Sequence, residues 1–95
     1  MRMITREACH AFENGENFYK SNTQVKADCT GVRMYLFGNL IAERVGERVR
    51  ITLAGWNSAT TRERLNGLRG VNISQKNFIP YLNGKEMDTK EFYQI

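Results

Sequence analysis

The apolar positions of the chain change period along its length. Near the start, Ala8, Cys9, Ala11 and Phe12 recur at helical spacing, Thr5 offers an N-cap, and Asn14-Gly15 closes the segment. A polar connection through Asn17, Lys20 and Ser21 leads into sequence rich in β-branched and aromatic residues from Thr23 to Leu53. That stretch predicts an antiparallel meander with turns at Thr30-Gly31, Gly38-Asn39 and Gly46-Glu47. Gly46-Glu47 suits a two-residue type II′ hairpin, because glycine supplies the positive φ at the first central position. Its register sets Val45 against Arg48, Arg44 against Val49, Glu43 against Arg50 and Ala42 against Ile51. Leu40, Ala42, Val49, Ile51 and Leu53 then form a core stripe, and Ile41, Glu43, Val45, Arg48, Arg50 and Thr52 a wetter face.

Thr60-Thr61-Arg62-Glu63 has the form of a capping box, with Thr60 as N-cap and Glu63 three residues on. It predicts a short helix near 61–68 that buries Leu65 and Leu68 and stops at Gly70. Val71–Asn77 and Phe78–Leu82 read as a further strand pair, and Asn83-Gly84 as a type I′ turn returning Lys85–Met87 along Tyr81-Leu82. The expected fold class is α+β: a twisted antiparallel sheet of five or six strands, with the N-terminal helix and the short helix packed on one face. At 95 residues the chain is expected to form a single domain, 1–95, with 88–95 as a C-terminal extension that either folds back or offers a handle to a partner.

Composition is that of an ordinary globular domain, with 41% hydrophobic and 25% charged residues, which argues against disorder. No apolar run approaches the roughly 18 residues of a membrane helix, and the start shows no signal-peptide core, so a cytoplasmic location is expected. Cys9 and Cys29 are expected to be free thiols on the same ground. Charge is placed unevenly. Residues 1–31 and 70–95 are each neutral, while 32–69 carry seven arginines against three glutamates, the whole net charge of +4.

The chemistry expected is binding, without catalysis or cofactor. His10, the single histidine, adjoins Cys9 on the first helix, where neighbours point about 100° apart. Two cysteines and one histidine fall short of a zinc site. The carboxylates form no pair whose pKa values would be split, and the glycines match no phosphate loop. Arg48 and Arg50 share a strand face, Arg62 and Arg64 lie on the short helix, Arg33 precedes them, and Trp56 sits between the two groups. Arginines around an exposed aromatic suit nucleic acid, the charges tracking phosphates and the ring stacking on a base. Against this, Trp56 just after a strand is more often a core anchor, Glu43 is set to neutralise Arg50, and most of Tyr35, Phe37, Phe78, Tyr81, Phe92 and Tyr93 are expected in the core.

Four motifs carry a resemblance: Asn22-Thr23-x-Val25, Leu36-Phe37-Gly38-Asn39-x-Ile41-Ala42, Ala54-Gly55-Trp56-x-x-x-Thr60-Thr61-Arg62-x-Arg64-Leu65-Asn66, and Tyr81-Leu82-Asn83-Gly84-Lys85-Glu86. In these the chain resembles a group of small proteins encoded by bacteriophages and prophages. The likeness spans about residues 4–88 and implies context, with no functional residues transferred. It implies a partner that is either nucleic acid, or a nucleic-acid-processing host complex, met by the arginine-rich middle. The alternative is a host protein met without nucleic-acid contact, as by an inhibitor of a defence system such as an anti-CRISPR. A virion assembly role is weaker.

Overall fold

The computed structural model describes residues 2–95 and has the α+β architecture expected. Helix α1 (Met3–Asn14) is followed by β1 (Phe18–Lys20), β2 (Thr23–Asp28), β3 (Gly31–Leu36), β4 (Asn39–Val45) and β5 (Arg48–Ile51). Helix α2 (Ala59–Asn66) leads to β6 (Ile73–Lys76), β7 (Ile79–Leu82), β8 (Lys85–Glu86) and β9 (Tyr93–Gln94). The main sheet is antiparallel and six-stranded, ordered β1-β2-β3-β4-β5-β9, and β6-β7-β8 form a small second sheet. The strands after α2 therefore divide between two sheets, and the polar connection expected before Thr23 contains β1. The tail folds back: Arg50 pairs with Gln94 and Ile51 with Tyr93 along the free edge of β5. No helix among the described residues is long and apolar enough to cross a membrane.

The register around Gly46-Glu47 is the one the sequence predicts, from Val45↔Arg48 to Ala42↔Ile51, with Gly46 at φ +63°. The two preceding turns lie one residue earlier than expected, on Cys29-Thr30 and Phe37-Gly38. A row of side chains crosses all six strands toward the helices: Phe18, Val25, Met34, Ala42, Ile51 and Tyr93. Phe12, Leu53, Leu65 and Leu68 close the core from the helix side. Period-two reading fails at Ile41, which is buried together with Ala42. The pairing of β3 with β4 shifts there, from Met34↔Ala42 to Tyr35↔Leu40, so Ile41 is the extra residue of a bulge and can turn inward. Thr52, also expected on the wet face, is buried.

The helix ends differ from the sequence reading in an informative way. Helix α1 begins at Met3, and Thr5 is a buried residue of its first turns, not its cap. Gly15 ends it in the left-handed region, as Asn14-Gly15 suggests. Helix α2 is capped by Ser58, whose Oγ accepts from the Thr61 N–H at 3.1 Å and lies 2.8 Å from Thr61 Oγ1. Thr60 has no capping role, because the helix already starts at Ala59 and Thr60 lies within its first turn; Glu63 accepts from Thr5 of α1 instead. The helix stops at Asn66, with Gly67 in ordinary right-handed geometry; Gly70, at φ +83°, lies in the turn beyond. Gly67 has a different reason to be glycine: a Cβ there would lie 2.6 Å from Cys9 Sγ and 2.8 Å from Thr5 Cγ2. The two helices touch through that missing side chain.

Candidate functional site

Side chains alternate across a strand, so the row beside the core row must face away from the helices. That row reads Lys26, Arg33, Glu43, Arg50 and Gln94 across β2, β3, β4, β5 and β9. At about 4.8 Å per strand step, Lys26 and Arg50 stand about 14 Å apart. Arg33 Nε donates to Glu43 Oε2 at 2.8 Å, and Arg50 Nε to Glu43 Oε1 at 2.7 Å, so one carboxylate holds both guanidinium groups. Partial burial pushes the Glu43 carboxyl up, but these two charge-assisted bonds outweigh it and keep the carboxyl below its ordinary value. The Arg50 guanidinium also lies 4.3 Å from the centre of the Phe92 ring, contributed by the returning tail.

Aromatic residues occupy the neighbouring row. Tyr19 and Tyr35 flank Gln24 across β1, β2 and β3, and Lys26 Nζ sits 5.6 Å from the Tyr35 ring centre. Arg48 stands exposed at the start of β5. On these strands Lys26, Arg33, Arg48 and Arg50 face Asp28 and Glu43, four cations against two carboxylates. The face is open, basic and aromatic.

Trp56 and Arg62 belong to a different surface. Trp56 is 66% exposed, which overturns the expectation of a core anchor. Ala54 and Gly55 before it take φ of +55° and +86°, a reversal that throws the indole outward instead of continuing β5 into the core. It forms one wall of an apolar cleft of about 390 Å³, with Phe37 on the rim and Leu36, Ile41 and Leu53 among its lining. Asn57 Nδ2 donates to Gln75 Oε1 at 2.9 Å and to the Phe78 carbonyl at 3.1 Å, tying this loop to the β6–β7 hairpin. Arg62 Nη1 donates to Asn57 Oδ1 at 2.5 Å and to Gln75 Oε1 at 3.2 Å. Phe37 (71% exposed) and Phe78 (86%) stand on hairpin tips, and none of the six aromatics expected to be mostly core is fully buried. Two-residue turns put their side chains beyond the sheet edge, where no layer can cover them.

Arg64 is not a contact residue. Only 1% of it is exposed, and its guanidinium donates to Thr23 Oγ1 at 3.0 Å, Thr5 Oγ1 at 2.7 Å and Glu63 Oε1 at 2.6 Å. It fastens α1, α2 and β2 together. Helical phase decides the difference between Arg62 and Arg64, two residues apart and about 200° around the axis. Arg44, a fourth strand arginine, points to the helix side and donates from Nη2 to the Phe12 carbonyl at 3.0 Å, a cation on the C-terminal carbonyls of α1.

Both thiols are free: Cys29 is exposed on a hairpin tip, and Cys9 is buried with its Sγ donating to the Arg64 carbonyl at 3.2 Å. Burial, reinforced by Glu13, pushes the Cys9 thiol up to about 12. A neutral, buried thiol of that kind is a packing group.

The six arginine and tryptophan positions named from sequence thus separate into three sets: Arg33, Arg48 and Arg50 on the open sheet face, Trp56 in the cleft wall with Arg62 bonded to its loop at Asn57, and Arg64 inside. A family model described as Kyanoviridae Gp96 protein matches residues 1–95. The chain belongs to the Kyanoviridae Gp96 protein family. It is therefore a phage-encoded protein, as the resemblance implies, and the family match includes the residues after Asp88. No curated protein and no solved structure matches the chain.

Within this family member, several residues of the motifs have structural work. Asn66 Nδ2 donates to the Ile73 carbonyl at 3.0 Å while its Oδ1 accepts from the Ile73 N–H at 2.6 Å. Asn83 bridges the Asn72 N–H and the Gly70 carbonyl in the same manner. Sequence reading missed Lys26, Tyr19 and the Phe92 stack as parts of the sheet face. Period two along β2 signals Lys26. Tyr19 lies on the short β1, inside the stretch read as a polar connection, and the Phe92 contact depends on where the tail returns and has no local signal.

Proposed function

We propose that this phage protein is a non-catalytic binding domain that holds single-stranded nucleic acid across the open face of its six-stranded sheet. The observation that carries this reading is the cross-strand row Lys26–Arg33–Glu43–Arg50 beside the Tyr19–Gln24–Tyr35 row. Cations in line can follow phosphates, and rings in the adjacent row offer stacking surfaces that tolerate any base. Glu43 contributes by orientation: it fixes Arg33 and Arg50 in place and halves their net charge, which favours a moderate, salt-sensitive grip. Arg48, with no carboxylate within ion-pair distance among the described residues, supplies full charge beside the row, two residues from Arg50 on the same face of β5.

The test is fluorescence anisotropy of a short labelled oligothymidylate titrated with the protein over a range of salt. Affinity is expected to fall linearly on a log–log plot, with a slope of about −0.7 per phosphate neutralised on a single strand. Replacing Arg48 and Arg50 together by alanine should lower affinity and reduce that slope. Stability should change by about 1 kcal/mol or less, since both side chains are exposed. Absence of binding to any DNA or RNA strand at low salt would sink the proposal.

A further inference from the structure

The cleft between Phe37 and Trp56 is separate from the sheet face and has a composition of its own. Leu36, Ile41 and Leu53 are buried residues whose side chains reach its lining, and among the described residues no charged side chain lines it. Such a cleft desolvates an apolar side chain well and a phosphate poorly.

Phe37 and Phe78 are central residues of two-residue hairpin turns, where the twist of the strands calls for positive φ. Phe37 has φ +50° and Ala54 has φ +55°, and Phe78, tied to the same loop through Asn57, has φ +66°. Left-handed geometry is strained for side chains other than glycine, asparagine and aspartate. Each of the two phenylalanines places a large exposed ring at a turn position that glycine or asparagine would fill without strain. Together with Trp56 they give one end of the molecule three exposed aromatic rings.

Arg62 states what accompanies the apolar group. Its Nη1 is held by three neutral oxygens, Asn57 Oδ1, the Asn57 carbonyl and Gln75 Oε1. Among the described residues no carboxylate lies within 4.0 Å of it, and its Nε and Nη2 make no hydrogen bond to protein. The guanidinium is therefore immobilised without being neutralised, and the edge left free, Nε with Nη2, is one that grips a carboxylate through two parallel bonds. Asn57, its anchor, lies between the cleft residues Trp56 and Ser58. Lys76, exposed on the β6–β7 hairpin, adds a second positive charge to this end of the molecule.

We infer that the Phe37–Trp56 cleft is a docking site for a protein partner's acidic peptide segment, one large apolar side chain entering the cleft while a neighbouring Asp or Glu pairs with Arg62. Apolar anchoring with a flanking carboxylate matches both halves of the site, and the phosphates of a nucleic-acid strand do not match the uncharged lining.

The test is selection of random peptides displayed on filamentous phage against the immobilised protein, with the Trp56→Ala protein as the depletion control. Expected enrichment is of sequences with one Leu, Ile, Phe or Trp and an Asp or Glu within a few positions. A synthetic copy of the leading sequence should shift the emission of Trp56, the single tryptophan of the chain. It should bind Arg62→Gln at least about tenfold more weakly, as loss of a charged anchor does. Circular dichroism on both variants checks that the fold persists. Failure to enrich over the control, enriched sequences that lack acidic residues, or unchanged affinity in Arg62→Gln would each overturn the inference. So would a Trp56 emission shift produced by oligothymidylate, which would give the cleft to nucleic acid. A dimer in sedimentation that Trp56→Ala dissociates would give it to a second copy. Oligothymidylate binding to the sheet face is read from Arg48 and Arg50, so that proposal and this one can fail independently.

Discussion

Arg64 Nη1 donates to Thr5 Oγ1 at 2.7 Å across 59 residues of sequence, in a site from which water is excluded. The same guanidinium reaches Thr23 and Glu63, so a single side chain satisfies polar groups from two helices and a strand. Removing one partner of such a buried, charged network leaves the others uncompensated and costs about 3–5 kcal/mol. Arg64→Ala should therefore lose most of the stability of a domain this size, measured by urea unfolding. Arg64→Lys should rescue little, because one ammonium cannot replace a fork that reaches three separate acceptors.

Glu63 and Glu43 both have carboxyls held below the ordinary 4.5, Glu63 chiefly by the Thr5 hydroxyl with help from Arg64 and Arg2. As pH falls, the unfolded chain takes up these protons first, so their stabilisation is complete above about 4.5 and is lost as pH drops through the lower folded values. The melting temperature should decline below that pH. In Glu63→Gln the decline should be shallower, and thermal scans between pH 3 and 6 would show whether the two curves converge at the acid end.

Gly67 has a φ that alanine accepts, and in an open site Gly→Ala there would stabilise by reducing the freedom of the unfolded chain. The 2.6 Å approach to Cys9 Sγ reverses the sign. Gly67→Ala should destabilise by about 1–3 kcal/mol through overpacking between α1 and α2. Cys9→Ala in the same chain should recover part of the loss, which a double-mutant cycle by chemical denaturation would measure.

Ser58→Ala should cost about 1 kcal/mol through loss of the α2 cap. Thr60→Ala should change stability by a few tenths at most. Equal losses in the two variants, read from melting temperatures, would contradict the assignment of Ser58 as the cap.

Local rules carried far in this chain and stopped at identifiable points. Turn chemistry and strand alternation gave the Gly46-Glu47 register and the Asn83-Gly84 hairpin, and with the first of these the position of Arg48 and Arg50 on one face. The capping-box reading failed because Ser58 caps the helix two residues earlier, and Glu63 bonds instead to a residue 58 positions away, which local pattern does not reveal. Ile41 was misplaced by a bulge that breaks the very period used to read it. Average burial favoured inward positions for Trp56 and the two hairpin phenylalanines. The phenylalanines are turned outward by their own left-handed backbone and Trp56 by that of Ala54 and Gly55 before it, and of these only Gly55 signals such a conformation in the sequence. The cleft was invisible for the same reason.

The meander has a kinetic consequence. From β1 to β5 every strand pairs with its neighbour in sequence, so five strands can zip through short loops. Contacts of the Arg64 hub and the β5–β9 pairing close much longer loops and should form after the rate-limiting step. Weakening the hub should then speed unfolding more than it slows folding, making Arg64 and Glu63 the residues that set how long the folded molecule survives between openings.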